Sequence, residues 1–256
     1  MTQSIEPAIL LSPLKPAISA QGCAIDIMVR VQGPEQPESD KAKVTPKRLS
    51  LVVDRSGSMS GQPLHEALKC VQHIAGCMTP QDRISVVVYD DNVNVLMPLG
   101  QVTSPDAMKR SLASVDSGGS TNLFGGWEDG AKQLEMGQDS SISRVILLSD
   151  GQANHGLLEQ DAIEVHCRDW LAKGVSTTTV GLGRGFNEDL MIAMAKAGGG
   201  QQYYGQTAAD LFDSFDEELS LLHLRLKVIP PRQAMAHQVL VPCPISWVYC
   251  SSSQSA

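Results

Sequence analysis

Apolar runs of strand length alternate with segments of helical periodicity over most of this chain. The predicted strands cover 48–54, 83–90, 93–97, 143–149, 175–181 and 202–204, and the predicted helices cover 61–78, 104–114, 122–137, 158–172, 188–197 and 207–222. Strands that alternate with helices predict a mainly parallel sheet with helices on both faces. Asn92 indicates a tight hairpin turn, so we expect one antiparallel edge strand. The predicted fold class is a doubly wound, Rossmann-like α/β protein.

The segments that flank this α/β region have strand character of their own. Residues 5–32 include an alternation of apolar and polar residues from Cys23 to Val31, which predicts a half-buried β segment. A polar linker with several prolines follows at 33–47, and 223–229 alternates again. We therefore predict three parts: an N-terminal β segment and linker at 1–47, the α/β domain at 48–222, and a strand with a disordered tail at 223–256.

Composition narrows the classes of function. The chain has 256 residues and a net charge of −8, which disfavours nucleic acid as a partner because nucleic-acid binding relies on basic surface. There is no run of 18 apolar residues, so no membrane span is predicted. The N-terminus has neither a basic segment nor a long apolar core, and we therefore predict a cytoplasmic location.

The cysteines give no sign of a disulfide framework or a zinc motif. The chain has six cysteines and no C-x-x-C pair. Cys70 and Cys77 lie one heptad apart on a predicted helix, about 10 Å along its axis, which is too far for a disulfide. We expect six reduced thiols, most of them buried.

Candidate chemistry begins directly after the first predicted strand of the α/β region. The run Leu49–Val53 is followed by Asp54, Ser56 and Ser58, with Gly57 allowing a tight loop. In open α/β sheets, ligands bind at the carboxyl ends of strands. A carboxylate with hydroxyls is a hard-oxygen set that suits Mg²⁺, Ca²⁺ or Mn²⁺ better than zinc. The simpler alternative is a polar turn that caps the following helix.

Two further loops carry oxygen side chains. Thr121 lies in the glycine-rich stretch 117–122, and Asp150 follows the apolar strand 143–149. With these loops the sequence resembles the von Willebrand factor A (VWA) domain family and its metal-ion-dependent adhesion site over roughly residues 48–222. The positions that match the adhesion site are Asp54, Ser56, Ser58, Thr121 and Asp150.

Within that family, the chain looks most similar to bacterial proteins labelled Ca-activated chloride channel-like and to inter-alpha-trypsin inhibitor heavy chains. The likeness rests on Val53–Met59, Thr121–Leu123, Gly126-Trp127 and Phe186–Leu190. The channel label implies nothing here, because no membrane span is visible. The resemblance implies a metal-dependent protein-binding module rather than an enzyme.

The resemblance also implies roles for the matching residues. Ser56 and Ser58 would ligate the metal directly, Thr121 directly or through water, and Asp54 and Asp150 mostly through water. The ion would be Mg²⁺, with Ca²⁺ and Mn²⁺ as alternatives, and its open position would attract a Glu or Asp of a partner protein. In some relatives the last helix, 207–222 here, shifts with the metal ligation.

Two other functions remain open for a VWA domain: an accessory subunit of an AAA+ ATPase, as in magnesium chelatase, and a scaffold that binds no metal. Enzyme motifs fail at their decisive residues. A phosphate-binding G-x-x-x-x-G-K-[ST] loop is absent, and the glycine-rich loop 181–186 has Phe186 where a dinucleotide loop needs its third glycine. His155 is the nearest candidate base, but a surface histidine is the favoured interpretation. The acidic residues of the last helix are interpreted as a solvated face, with a docking surface as the alternative.

Overall fold

The structure is a computed structural model that describes residues 8–13, 27–32, 45–102, 105–135, 141–182, 187–221 and 248–250. These residues belong to two compact units: residues 45–221 lie in one, and 8–13, 27–32 and 248–250 in the other. The predicted strand at 223–229 and the tail at 251–256 lie outside the described residues. None of the described helices has the length and the apolar character that a membrane span requires.

Nine β-strands are present in the described residues: β1 (Ala8–Pro13), β2 (Ile27–Gln32), β3 (Lys47–Asp54), β4 (Arg83–Tyr89), β5 (Val93–Gly100), β6 (Ile142–Ser149), β7 (Val175–Leu182), β8 (Gly199–Gly205) and β9 (Val248–Cys250). The helices of the same residues are α1 (Gln62–Gly76), α2 (Pro105–Ala113), α3 (Leu123–Gln133), α4 (Gln160–Ala172), α5 (Glu188–Ala197) and α6 (Ala209–Leu221).

The smaller unit contains a three-stranded antiparallel sheet in the order β1-β2-β9. β1 and β2 fall within the β segment predicted at 5–32. They pair over their whole length, from Ala8 opposite Gln32 to Pro13 opposite Ile27.

The larger unit is a six-stranded sheet in the order β5-β4-β3-β6-β7-β8. Every neighbouring pair is parallel except β4 and β5, which are antiparallel and joined by a turn in which the Asp90 N–H donates to the carbonyl of Asn92 at 3.0 Å. The predicted mainly parallel sheet with one antiparallel edge strand is therefore confirmed. The opposite edge strand, β8, runs from Gly199 to Gly205 and is therefore longer than the predicted strand at 202–204.

Helices cover both faces of this sheet, as predicted. Alternate residues of β3 point to opposite faces: Leu49 and Leu51 belong to the core beneath α1, α2 and α6, whereas Val52 belongs to the core beneath α3, α4 and α5. Because both faces of the sheet are covered, all eight residues of β3 are buried, including the polar residues Lys47, Arg48, Ser50 and Asp54. Asn187 caps α5 as predicted, since its side chain accepts a hydrogen bond from the Leu190 N–H at 3.2 Å.

The interpretation of α6 as a solvated acidic face is wrong at Glu218. This side chain is buried against the sheet, where its carboxylate pairs with Arg144 and accepts hydrogen bonds from Thr178 (2.7 Å) and Tyr203 (2.7 Å). These partners lie on β6, β7 and β8, so no local pattern in the sequence of α6 reveals them. Three donors to one buried carboxylate hold α6 against the sheet.

Candidate metal site

Asp54 ends β3 with a buried carboxylate that three groups orient. The carboxylate accepts hydrogen bonds from the Ser56 backbone N–H (2.9 Å), the Ser149 hydroxyl (2.6 Å) and the Tyr89 hydroxyl (3.2 Å). Tyr89 is the parallel register partner of Asp54 on β4, and Ser149 is the last residue of β6 on the other side. The parallel strands thus bring one acid and two hydroxyl donors together at one edge of the sheet.

Burial raises the pKa of Asp54 above its usual value. The hydrogen bonds from Ser149 and Ser56 work in the opposite direction, and the charge of Asp150 raises the pKa further. Burial also raises the pKa of Tyr89, as does the neighbouring charge of Asp54, so the phenol keeps its proton and acts as the donor. A cation in this loop would favour the ionised form of Asp54.

Ser58 lies on a single turn of 3₁₀ helix, Gly57–Met59, that separates β3 from α1, and Ser56 is the residue just before this turn. Their hydroxyl oxygens are 3.2 Å apart. Ser56 is buried and Ser58 is exposed, so the pair runs from the protein interior to the solvent. The loop does not cap α1 with a side chain: the N-cap is Gly61, and no side-chain hydrogen bond is made there. The alternative of a simple helix-capping turn is therefore not supported.

The glycine-rich second loop is hydrogen-bonded to the first. The Gly57 N–H donates to the carbonyl of Gly119 (3.2 Å), and the Gly118 N–H donates to the carbonyl of Arg55 (2.9 Å). Gly119 has a φ of +72°, and a Cβ atom there would lie 2.0 Å from the carboxylate of Asp91. Only glycine combines this positive φ with the absence of a Cβ atom, so Gly119 determines the path of the backbone that leads to Thr121.

The third loop is hydrogen-bonded to the second through Thr121. The Thr121 N–H donates to the side-chain oxygen of Asn154 (2.8 Å), and the Thr121 carbonyl accepts from the N–H groups of Asn154 and His155, both at 3.1 Å. Asp150 begins this loop, and its carboxylate accepts a hydrogen bond from the Gln152 N–H at 3.0 Å. His155 itself has an exposed side chain, in agreement with its interpretation as a surface histidine.

All three loops therefore lie together at the carboxyl end of the sheet. We call the five side chains that they carry the loop site: Asp54, Ser56, Ser58, Thr121 and Asp150. Asp54 and Asp150 are both buried and close enough for their charges to interact. Within the described part of the chain neither of them forms an ion pair with a basic side chain. Two buried acids without a basic partner, beside hydroxyl oxygens, fit a hard divalent cation.

Sequence reasoning missed three residues that support the loop site. Tyr89 and Ser149 orient Asp54, and Asn154 holds the Thr121 backbone. The strand register could have revealed the first two, because β4 and β6 flank β3 and end at the same edge. Asn154 could have been suspected only as a polar residue in the loop that follows Asp150.

The sequence matches the von Willebrand factor type A domain over residues 49–218, well over half of the chain. The chain belongs to the von Willebrand factor type A domain family. The VWA match includes all three loops of the loop site and the whole six-stranded sheet except the first residues of β3.

Relatives of this VWA chain include bacterial and animal proteins. It is 26% identical over 212 residues to the Synechocystis protein sll0103, itself called uncharacterized, and the match covers 79% of this chain and 49% of the relative. It is 25% identical over 189 residues to human inter-alpha-trypsin inhibitor heavy chain H3, covering 69% of this chain and 21% of the relative. The chain thus spans about half or less of the length of these relatives.

A solved structure with the same fold is proximal thread matrix protein 1 from the mussel byssus, described with a zinc-occupied adhesion-site motif. It superposes with a TM-score of 0.57 at 17% identity, covering 70% of this chain and 48% of that chain. VWA domains often mediate protein binding that depends on a divalent cation, and the homologues are largely binding modules rather than enzymes.

Proposed function

We propose that this VWA domain is a non-enzymatic protein-binding module that holds Mg²⁺ at the loop site and binds an acidic side chain of a partner protein. The observation that carries the proposal is the pair of buried acids, Asp54 and Asp150, whose charges interact and which have no basic partner among the described residues. A divalent cation nearby would reduce the repulsion between these two negative charges. The zinc-occupied adhesion site of the mussel protein supports a cation at the equivalent place in the fold.

The residues of the loop site would divide the work by their chemistry. The hydroxyls of Ser56, Ser58 and Thr121 would hold the ion, and Asp54 and Asp150 would accept hydrogen bonds from its water ligands. Neutral hydroxyl ligands leave much of the ion's charge uncompensated, and this charge attracts a carboxylate. Ser58 is exposed, so the site opens toward solvent on the side where a partner would approach.

Calorimetric titration with Mg²⁺ and Mn²⁺ tests the metal part of the proposal. We expect saturable binding to the wild type and its loss in the double variant Ser56→Ala/Ser58→Ala, whose changes remove two hydroxyls and little packing. Ser60→Ala is the matched control, because Ser60 is an exposed serine of the same loop whose hydroxyl contacts only Ser117 among the described residues. Equal Mn²⁺ binding by the double variant and the wild type would contradict the proposal and favour a scaffold without metal.

A carboxylate probe tests the partner chemistry. Acetate is the simplest probe, and the relaxation rate of water protons reports the waters that remain on bound Mn²⁺. We expect acetate to displace water from Mn²⁺ on the wild type, at concentrations that do not affect free Mn²⁺. Unchanged relaxation on a Mn²⁺-loaded wild type would contradict capture of an acidic group.

A cytoplasmic location of this protein stays a prediction.

A further inference from the structure

A second group of metal-ligating side chains lies outside the loop site, between α1 and α6. We call it the helix cluster: His73 and Cys77, one helical turn apart at the end of α1, and Asp216 on α6. Their donor atoms all lie within 4.8 Å of one another. We propose that the helix cluster binds Zn²⁺, or another transition metal of similar softness, and thereby joins α6 to α1.

The distances suit a shared ion. The His73 Nε2 and Asp216 Oδ1 atoms are 2.8 Å apart, the Cys77 Sγ and Asp216 Oδ1 atoms 3.5 Å, and the Cys77 Sγ and His73 Nε2 atoms 3.9 Å. Tetrahedral zinc with these ligands would separate them by about 3.4–3.6 Å. Two of the three separations need changes of only a few tenths of an ångström, and the third, between nitrogen and carboxylate oxygen, must widen.

The surroundings orient the ligands. The His73 ring stacks on Phe212 of α6, with the centroids 4.1 Å apart and the planes at 9°, which fixes the direction of its nitrogens. The Cys77 backbone N–H is hydrogen-bonded to the last turn of α1, so the thiol follows the helix. The carboxyl end of a helix carries partial negative charge, which favours a cation at this place. His73 is part-buried and Cys77 and Asp216 are exposed, so a water could complete the coordination from solvent.

The same three side chains do not form a nucleophilic triad. A cysteine–histidine–aspartate relay needs the thiol on one ring nitrogen and the carboxylate on the other. Here both Cys77 and Asp216 approach Nε2 of His73. Convergence of nitrogen, sulfur and oxygen on one point is the arrangement of a coordination site. Thiolate and imidazole also select zinc-like ions over Mg²⁺, so the helix cluster and the loop site differ in the metals they prefer.

Cys77 also differs from the other cysteines that the structure describes. Burial raises the pKa of all three described thiols, but only Cys70 and Cys167 lie in the cores, where the pKa of each rises to about 12. Cys77 is exposed, whereas Cys70 and Cys167 are buried, so most of the described thiols are buried as expected. Cys77 is therefore the one cysteine among these three that a metal ion can reach from solvent.

Cobalt spectroscopy on the full chain tests the proposal. Co²⁺ is added in the presence of excess Mg²⁺, which occupies the oxygen ligands of the loop site. We expect one equivalent of Co²⁺ to give a thiolate-to-cobalt charge-transfer band that Zn²⁺ abolishes. Cys77→Ser should lose the band, and His73→Gln and Asp216→Asn should each lower the Co²⁺ affinity at least about tenfold. His65→Gln, at an exposed histidine of the same helix, should have no effect.

Two results would overturn the proposal: no charge-transfer band in the wild type, or an unchanged band in Cys77→Ser, which keeps the other five cysteines. The variant changes an exposed side chain, and its circular dichroism should match that of the wild type. Hydrogen exchange tests the joining of the two helices. Zn²⁺ should slow amide exchange in residues 209–221 of the wild type and leave it unchanged in Cys77→Ser. Equal exchange in both proteins would show that the ion does not join α6 to α1.

Discussion

The loop site and the helix cluster lie at opposite ends of α1 and are built in different ways. The loop site uses oxygen atoms from three loops at the end of the sheet, with backbone hydrogen bonds that fix the loops to one another. The helix cluster uses nitrogen, sulfur and oxygen atoms from the surfaces of two helices. Ligand type and structural support therefore differ together: hard oxygen ligands lie on loops hydrogen-bonded to one another at the sheet edge, and softer ligands lie on a helix pair that the ion itself would help to fix.

Glu218→Gln should have the largest effect, and this effect should differ strongly between the two sites. The change leaves the charge of the part-buried Arg144 without its ionic partner, and the expected loss of unfolding free energy is about 3–5 kcal/mol. Because Glu218 holds α6, the Co²⁺ affinity of the helix cluster should fall more than the Mn²⁺ affinity of the loop site. Chemical denaturation and metal titration measure these effects. Asp213→Asn, at an exposed acid of the same helix, is the control. A larger loss of Mn²⁺ affinity at the loop site than of Co²⁺ affinity at the helix cluster would contradict the proposal that Glu218 acts through α6.

Asp54→Asn should weaken metal binding at the loop site and leave the helix cluster unaffected. The change keeps the shape of the side chain but removes the negative charge beside the proposed metal, and the expected fall in Mn²⁺ affinity is about 10–100-fold. The thiolate-to-cobalt band of the helix cluster should keep its intensity. Asp91→Asn is the control, because Asp91 is an exposed acid close to the second loop. A simultaneous loss of both signals would mean that the two sites are not independent.

Gly126→Ala tests the support of the loop site without touching a proposed ligand. A Cβ atom at Gly126 would lie 2.3 Å from the ring of Tyr89, whose hydroxyl donates to Asp54. We expect a loss of about 1–3 kcal/mol in unfolding free energy and weaker Mn²⁺ binding. Gly118→Ala is the matched control, because a Cβ atom there meets open space. If Gly126→Ala binds Mn²⁺ as the wild type does, the orientation of Tyr89 has no part in metal binding.

Asp82→Asn gives the smallest expected effect and shows how a purely structural acid behaves. Asp82 is buried, which by itself raises its pKa, but hydrogen bonds from Lys47 and Thr79 and the charge of Lys47 lower the pKa overall. The ionised form therefore stabilises the fold at neutral pH, and this contribution is lost as the pH falls below about 3.8 through the folded-state pKa. We expect a loss of about 1 kcal/mol at pH 7 that Mg²⁺ does not change.

Denaturation of the wild type and Asp82→Asn at several pH values measures that difference. The gap between the two proteins should be constant near neutral pH and should narrow in acid. A gap that widens as the pH falls would contradict the assignment of Asp82 as an acid that is stabilised in its charged form.

The two sites also differ in how far their residues could be predicted from the sequence. Asp54, Ser56 and Ser58 are neighbours in one loop, and the carboxyl ends of parallel strands share an edge, so local spacing and sheet geometry together predict where they gather. Asp216 is 143 residues from His73, and only the packing of α6 on α1 brings them together. Glu218 was misjudged for the same reason, because Arg144, Thr178 and Tyr203 lie on three separate strands.

Helix α1 has 15 residues and is therefore roughly 22 Å long. With Mn²⁺ at the loop site and Co²⁺ at the helix cluster, α1 would have a paramagnetic ion near each of its ends. Pulsed electron paramagnetic resonance could then follow the interval between the two ions while a carboxylate is added. The chain would report on its own internal movement without an attached label.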